Sequence, residues 1–134
     1  MTVTPYLTFN GNTREAMEFY KATLGGEFIT DQSFGDSPMD APPGHEDKVM
    51  HIHYKSGDLE LMASDGMPDH KVDFGNNVQL SINLSEGADV DRLFAALSAG
   101  GVSVMEPNDT FWGARFAMCI DKFGINWMLN ANNK

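Results

Sequence analysis

The pattern of hydrophobic and polar positions occurs twice along this chain. When the segment that starts at Tyr6 is placed over the segment that starts at Ser81, apolar residues meet at a constant offset of 75 residues. The matched pairs include Leu7 with Ile82, Phe9 with Leu84, Phe19 with Phe94, and Gly25-Gly26 with Gly100-Gly101. Each copy predicts a strand, a helix that ends at a double glycine, and a second strand, so the chain contains an internal repeat.

An apolar stripe with helical spacing predicts one amphipathic helix in each copy, at 13–24 and at 88–99. The stripes consist of Ala16, Met17, Tyr20 and Leu24 in the first helix and of Val90, Leu93, Phe94 and Leu97 in the second. At the start of the first helix, Asn12 is a favourable N-cap and Glu15 is its predicted capping-box partner.

Two further alternating segments follow the second strand of each copy and flank a turn. The segments "KVMHIHY" and "LELMAS" flank Ser56-Gly57, and "GARFAMCI" and "INWMLN" flank "DKFG". Each half is therefore a βαβββ module. We predict an α+β fold in which two tandem modules form a curved mixed sheet around a cavity, within a single domain that spans 1–134. Module one covers about 1–66 and module two about 77–134.

Alternation along each strand separates an apolar face, which should pack on the helices, from a face of mixed polarity. In the predicted strand 115–120, Phe116, Met118 and Ile120 form the apolar face, and Arg115, Ala117 and Cys119 form the mixed face. The mixed faces of the other strands include Tyr6, His51, His53, Glu60, Met62, Gln79, Ser81 and Met128. A sheet that faces only water would carry more Lys and Glu, so these faces indicate a ligand cavity between the modules.

Charge and cysteine content narrow the classes of partner and location. Nine basic and nineteen acidic residues give a net charge of −10, which repels nucleic acid and anionic membrane surfaces. We therefore expect no nucleic-acid partner and no membrane partner. Cys119 is the single cysteine, and the chain has neither a basic leader nor a long apolar run, so the sequence predicts a cytoplasmic protein.

Several segments resemble the PhnB-like subgroup of the vicinal oxygen chelate superfamily, which contains glyoxalase I, the extradiol dioxygenases and the bleomycin-resistance proteins. They are "TPYLTFNGN", "AMEFYKATLG", "SFGDSPMDA", "ASDGMP" and "TFWGARF" followed by "DKFGINWMLN", and together they extend over nearly the whole chain. The resemblance implies paired βαβββ modules and a homodimer. Some members of the subgroup bear a methyltransferase name, but this sequence has no glycine-rich nucleotide loop after a strand.

The resemblance also implies where a catalytic metal would bind. The four ligand positions of the metal-dependent relatives fall at Thr4, at Glu60 or Met62, at Gln79 and at Met128. A hard divalent cation prefers imidazole, carboxylate or amide oxygen, whereas Thr4 is a poor neutral ligand and Met128 offers a soft thioether. We therefore predict that the glyoxalase-type metal site is missing, and we predict no cofactor.

A second metal set is open as an alternative. The Ser56-Gly57 turn predicts a hairpin that pairs Lys55 with Asp58, His53 with Glu60, and His51 with Met62. His51, His53 and Glu60 would then share one face and could bind a divalent ion by a route that the superfamily does not use. The other interpretation is a cross-strand His–Glu pair or a polar cavity wall.

The predicted ligand site combines one cation with apolar and polar side chains. Its residues are Gln79, Arg115, Trp112, Glu60, Met62 and Met128. Arg115 would bind a carboxylate, and the indole and thioethers would cover an apolar part, unless Arg115 pairs with an acidic neighbour and Trp112 anchors a loop. We predict that the protein binds a small organic ligand in the cavity. The alternative is a lyase or isomerase with Glu60, His51 or His53 as general base.

Overall fold

The computed structural model describes residues 1–38 and 40–132, which belong to two compact units, Met1–Asp73 and Phe74–Lys134. The first unit contains β1 (Tyr6–Phe9), α1 (Thr13–Leu24), β2 (Glu27–Ser33), β3 (Val49–Ser56) and β4 (Leu59–Asp65). The second contains β5 (Leu80–Leu84), α2 (Gly87–Ser98), β6 (Val102–Asp109), β7 (Arg115–Ile120) and β8 (Asn126–Ala131). The boundary between the units falls in the loop between the predicted modules. Among the described residues, neither helix has the length and apolar content that crossing a bilayer requires.

Both units have the same sheet topology. The strand order is β1-β4-β3-β2 in the first sheet and β5-β8-β7-β6 in the second. In each sheet the two strands that begin and end the unit in the sequence, β1 with β4 and β5 with β8, pair in parallel. The remaining pairs are antiparallel. The predicted α+β fold of two tandem βαβββ modules is confirmed, with one four-stranded mixed sheet in each unit.

In the first unit, α1 packs its predicted apolar stripe on β3 and β4. The fully buried side chains include Ala16, Met17 and Tyr20 of the helix and Phe9, Ile52, Tyr54, Leu61 and Ala63 of the sheet. Each large apolar side chain buried in this way stabilises the fold by about 1.5–3 kcal/mol relative to an exposed one. The opposite sheet face, with His51 and His53, is left open, as alternation predicts.

In the second unit, the predicted orientation of β7 is wrong. Met118 lies opposite Met128, and Cys119 lies opposite the buried Trp127, so Ala117 and Cys119 face α2. Both faces of β7 contain apolar residues, and α2 packs closely over this strand, where small side chains leave room for the helix. Phe116, Met118 and Ile120 therefore share the open face with Met128.

The start of α1 is capped from a distant strand rather than by its own N-cap residue. The Asn12 side chain makes no capping hydrogen bond, contrary to the prediction. Instead Asp65, at the end of β4 and only 4% exposed, accepts hydrogen bonds from the backbone N–H groups of Gly11 (3.0 Å), Thr13 (3.1 Å) and Val49 (2.9 Å). It also accepts one from the Thr13 hydroxyl at 2.6 Å. One carboxylate therefore ties the first helix to β3 and β4.

The same steric reason explains why a double glycine follows the helix in both units. Gly25 ends α1 with a φ of 78°, and Gly100 follows α2 with a φ of 75°, a left-handed conformation that favours glycine. The second glycine of each pair lies against backbone. A Cβ on Gly26 would lie 2.3 Å from the Lys55 carbonyl oxygen, and one on Gly101 would lie 2.1 Å from that of Ile120.

Candidate functional site

The face of each sheet opposite its helix is here called the open face. The unit-1 open face consists of Tyr6, Thr8, Glu27, Thr30, Gln32, His51, His53, Lys55, Glu60, Met62 and Ser64. The unit-2 open face consists of Ser81, Asn83, Val102, Met105, Asn108, Phe116, Met118, Ile120, Asn126, Met128 and Asn130. The first face is rich in hydrogen-bonding groups, whereas the second carries more apolar surface.

Two hydrogen-bonded pairs lie on the unit-1 open face. The Tyr6 hydroxyl and His51 Nδ1 are 3.0 Å apart, and the two rings stack with centroids separated by 5.7 Å. His53 Nε2 lies 2.9 Å from Glu60 Oε1, and the His53 side chain is 19% exposed. When Nε2 donates to Glu60, Nδ1 of His53 is an acceptor. These hydrogen bonds fix the orientation of both imidazoles. The second ring nitrogen of each, Nε2 of His51 and Nδ1 of His53, takes no part in them.

The hairpin that carries this face has a register two residues away from the predicted one. Lys55 lies opposite Glu60 rather than Asp58, and His53 lies opposite Met62 rather than Glu60. The two-residue turn is Gly57-Asp58, and Gly57 adopts a positive φ of 59°, as tight hairpin turns require. A shift of two residues keeps every side chain on its predicted face. Glu60 reaches His53 diagonally.

The register also decides which residue occupies the uncertain metal-ligand position. Tyr6 lies opposite Met62, and its repeat equivalent Ser81 lies opposite Met128, so Met62 rather than Glu60 corresponds to Met128. The four positions therefore offer the hydroxyl of Thr4, the amide of Gln79 and two thioethers. This donor set does not fit a hard divalent cation.

The three side chains of the alternative metal site, His51, His53 and Glu60, do not converge on one point. Tyr6 partners His51, whereas Glu60 partners His53. Within residues 1–38 and 40–132, no group of three or more His, Cys, Asp or Glu side chains is arranged to hold a metal ion. The arrangement suits hydrogen bonding to an organic molecule better than coordination.

Aromatic and thioether side chains dominate the central part of the unit-2 open face. Met128 lies opposite both Ser81 and Met118. Phe116 contacts the indole of Trp112 with ring centroids 6.0 Å apart, and Trp112 itself is 55% exposed. Gln79 precedes β5, is exposed, and donates from its side-chain amide to the Asn76 carbonyl at 3.0 Å. The sequence pattern does not predict Phe116 and Met118 on this face, because it predicts the opposite orientation for β7.

Arg115 lies on the helix side of its sheet, not on the open face. Its guanidinium donates to Asp91 of α2 at 2.9 Å and to Asp109 at 3.2 Å. The hydrogen bond to Asp91 is the main cause that raises the pKa of Arg115 above its ordinary value. The predicted placement toward a cavity is wrong, because the face that Arg115 shares with Ala117 and Cys119 points toward α2. The pairing with acidic neighbours is the interpretation that the structure favours.

Cys119 is buried beside α2, and burial, followed by the charge of Asp121, raises the pKa of its thiol to about 11. Because thiolate is the reactive species, we expect iodoacetamide at pH 8 to modify the native protein far more slowly than the urea-unfolded protein. An unfolded thiol ionises at lower pH, so this group's contribution to stability is present below pH 9 and is lost as the pH rises toward 11. Cys119→Ala should remove that part of the pH dependence. Equal alkylation rates in the native and unfolded states would contradict this prediction.

Comparison with known proteins identifies the family. The sequence model of the 3-demethylubiquinone-9 3-methyltransferase family matches residues 1–130. This chain belongs to that family. Protein YjdN of Escherichia coli K12 is 31% identical over 140 residues, which cover 97% of this chain and 95% of YjdN.

Solved structures show which other proteins have this fold. Protein PA1353 of Pseudomonas aeruginosa has a TM-score of 0.92 and 40% identity, over 100% of this chain and 99% of that one. The PhnB protein of Bacillus cereus has a TM-score of 0.82 and 24% identity, over 98% and 99% of the two chains. Two glyoxalase/bleomycin resistance/dioxygenase proteins, from Burkholderia phytofirmans and Frankia, and a glyoxalase-related enzyme from Fulvimarina pelagi share the fold with TM-scores of 0.64 to 0.70 at 14 to 16% identity. The predicted membership of the PhnB-like subgroup is confirmed.

Proposed function

We propose that this family member binds a small organic ligand without a glyoxalase-type metal ion, and that the unit-1 open face supplies the polar contacts. The observation that carries the proposal is the pair of adjacent hydrogen bonds, Tyr6 to His51 and Glu60 to His53, on one sheet face. Ligand sites commonly combine a few fixed polar groups with apolar surface. Here Met62 is the apolar neighbour, directly opposite both Tyr6 and His53.

The chemistry of the face favours a ligand with hydrogen-bonding groups and a flat or flexible apolar part. The His51 and His53 rings offer a donor or an acceptor, since the second nitrogen of each ring takes no part in the hydrogen bond to Tyr6 or Glu60. The Tyr6 ring, 49% exposed, offers a stacking surface, and the Met62 thioether adapts to the shape of an apolar group. Arg115 has no part in this proposal, because Asp91 and Asp109 bind its guanidinium.

Donor chemistry supports the metal-free part of the proposal. Met62 and Met128 occupy equivalent positions in the two sheets, and soft sulfur ligands do not select the hard cations that glyoxalase-type chemistry uses. The methyltransferase name of the family does not enter the proposal, because the sequence has no glycine-rich nucleotide loop after a strand. Lyase or isomerase activity through Glu60, His51 or His53, a homodimer and a cytoplasmic location stay predictions from the sequence.

A fragment screen tests the site assignment with a matched pair of variants. We expect aromatic carboxamides and hydroxyamides to raise the melting temperature of the wild type, and Met62→Ala to weaken the best fragment about tenfold, through a loss of about 1.5 kcal/mol of apolar contact. Met128→Ala makes the same change at the equivalent position of the second unit and should leave the affinity within about twofold. Equal losses in both variants, or none in Met62→Ala, would contradict the assignment to the unit-1 open face.

A further inference from the structure

A pocket of about 450 Å³ lies in the first unit, away from the residues of the unit-1 open face. It forms where β1 and β4 end and where β3 begins, so its walls come from three loops. Among the residues that line it are Gly11, His45, Lys48, Gly66 and Lys71. None of the predicted site residues takes part in it.

His45 is the first sign that the pocket is built for a ligand. The residue is 6% exposed, and its Nε2 is buried without a hydrogen-bond partner, the one side-chain atom of that kind among residues 1–38 and 40–132. Leaving a buried polar atom unpaired costs about 1–3 kcal/mol, so native proteins seldom do so unless a water or an ion supplies the partner. The ring packs against Phe34, with centroids 4.8 Å apart.

Two lysines give the same pocket a local positive charge. Lys48 Nζ donates to the Gly11 carbonyl at 2.9 Å, which leaves two ammonium protons for a ligand. Within the described part of the chain, neither Lys48 nor Lys71 forms an ion pair with a carboxylate. Asp65 lies nearby, but four donors already saturate its carboxylate.

Hydrogen bonds fix the loop that carries Lys71. The Asn10 side chain donates to the Val72 carbonyl at 3.0 Å and accepts from the Val72 N–H at 2.8 Å. The Gly66 N–H donates to the Phe9 carbonyl at 2.8 Å, at the other end of the same loop. The backbone on both sides of Lys71 is thus held to the end of β1, which limits the entropy that would be lost when a ligand binds.

We propose that this pocket binds a small phosphomonoester. Two ammonium groups match the charge of a phosphate dianion, and lysines bind phosphate as point charges. His45 lines the pocket, and its Nε2 has no hydrogen-bond partner among the described residues, so the imidazole can donate an N–H to a third phosphate oxygen. A monocarboxylate would leave one lysine without a counter-charge, and the volume of about 450 Å³ leaves room for a small organic group beyond the phosphate.

Calorimetry and histidine NMR at fixed ionic strength test this site with methyl phosphate, inorganic phosphate and acetate as probes. We expect one saturable site for methyl phosphate, a change in the ¹⁵N shift of His45 Nε2, and a weaker response to acetate. Lys48→Gln and Lys71→Gln should each weaken methyl phosphate binding about tenfold. Lys21→Gln removes the same charge from α1, outside the pocket, and should leave binding unchanged.

Lys71 is exposed, and within residues 1–38 and 40–132 its side chain makes no hydrogen bond, so Lys71→Gln keeps the test valid even if Lys48→Gln fails to fold. Methyl phosphate binding that does not saturate, or that Lys71→Gln leaves unchanged, would overturn the proposal. Acetate binding as tight as methyl phosphate binding would overturn the phosphate assignment. Because the signals of His51 and His53 report on the unit-1 open face, failure at either site is distinguishable from failure at the other.

Discussion

Asp65→Ala is expected to lower the free energy of unfolding by at least about 3 kcal/mol. The substitution leaves three backbone N–H groups and the Thr13 hydroxyl without their acceptor, in a place where Asp65 itself is 4% exposed. Each buried donor left without a partner costs about 1–3 kcal/mol, although the opened space can admit water and reduce the sum. Urea unfolding followed by circular dichroism measures the change.

Two further variants separate the hydrogen bonds of Asp65 from its charge. Asp65→Asn keeps one acceptor oxygen for Gly11 and Thr13 but places an amide NH₂ group against the Val49 N–H, so an intermediate loss is expected. Asp69→Ala removes an exposed carboxylate whose nearest basic partner is His70 at 3.8 Å, and it should change stability by less than about 0.5 kcal/mol. If Asp65→Ala were as stable as Asp69→Ala, the tie between α1, β3 and β4 would not be structurally important.

Gly101→Ala should destabilise the second unit by about 3 kcal/mol. Its added Cβ would lie 2.1 Å from the Ile120 carbonyl oxygen and 2.8 Å from the Asp121 carbonyl carbon, and these backbone atoms cannot move without shifting the end of β7. Gly75→Ala is the matched control, because its Cβ would meet nothing closer than 3.5 Å and its φ is not positive. Thermal unfolding of the two variants compares them directly, and equal melting temperatures would refute the steric explanation of the double glycine.

The repeat made most of the fold predictable from the sequence. The offset that matches Tyr6 with Ser81 also matches the two helices, and a hairpin follows the second strand of each copy, so the βαβββ pattern of each unit could be predicted. The first helix, Thr13–Leu24, has the predicted bounds, and the second, Gly87–Ser98, differs by one residue at each end. The cap of α1 was not predictable, because Asp65 is more than fifty residues from the donors that it binds at Gly11 and Thr13.

The candidate site was less predictable because side-chain size and distant pairing determine it. Alternation gave two faces for β7, but both contain apolar residues, and the close packing of α2 selected the smaller pair, Ala117 and Cys119. Arg115 follows the same orientation, which brings it to Asp91. The sequence gives no periodic signal for the pocket with His45 and Lys71, because loops form it, and the pairing of β4 with both β1 and β3 brings those loops together.

Histidine NMR during parallel titrations with the best fragment and with Zn²⁺ tests most directly whether the unit-1 open face binds an organic ligand in place of a metal. We predict that the fragment shifts the imidazole signals of His51 and His53, leaves the exposed His70 unchanged, and loses this effect in Met62→Ala. Zn²⁺ should produce no stoichiometric, saturable change at those two histidines. The contradicting result is a saturable one-to-one response of His51 and His53 to Zn²⁺, with no response to any fragment.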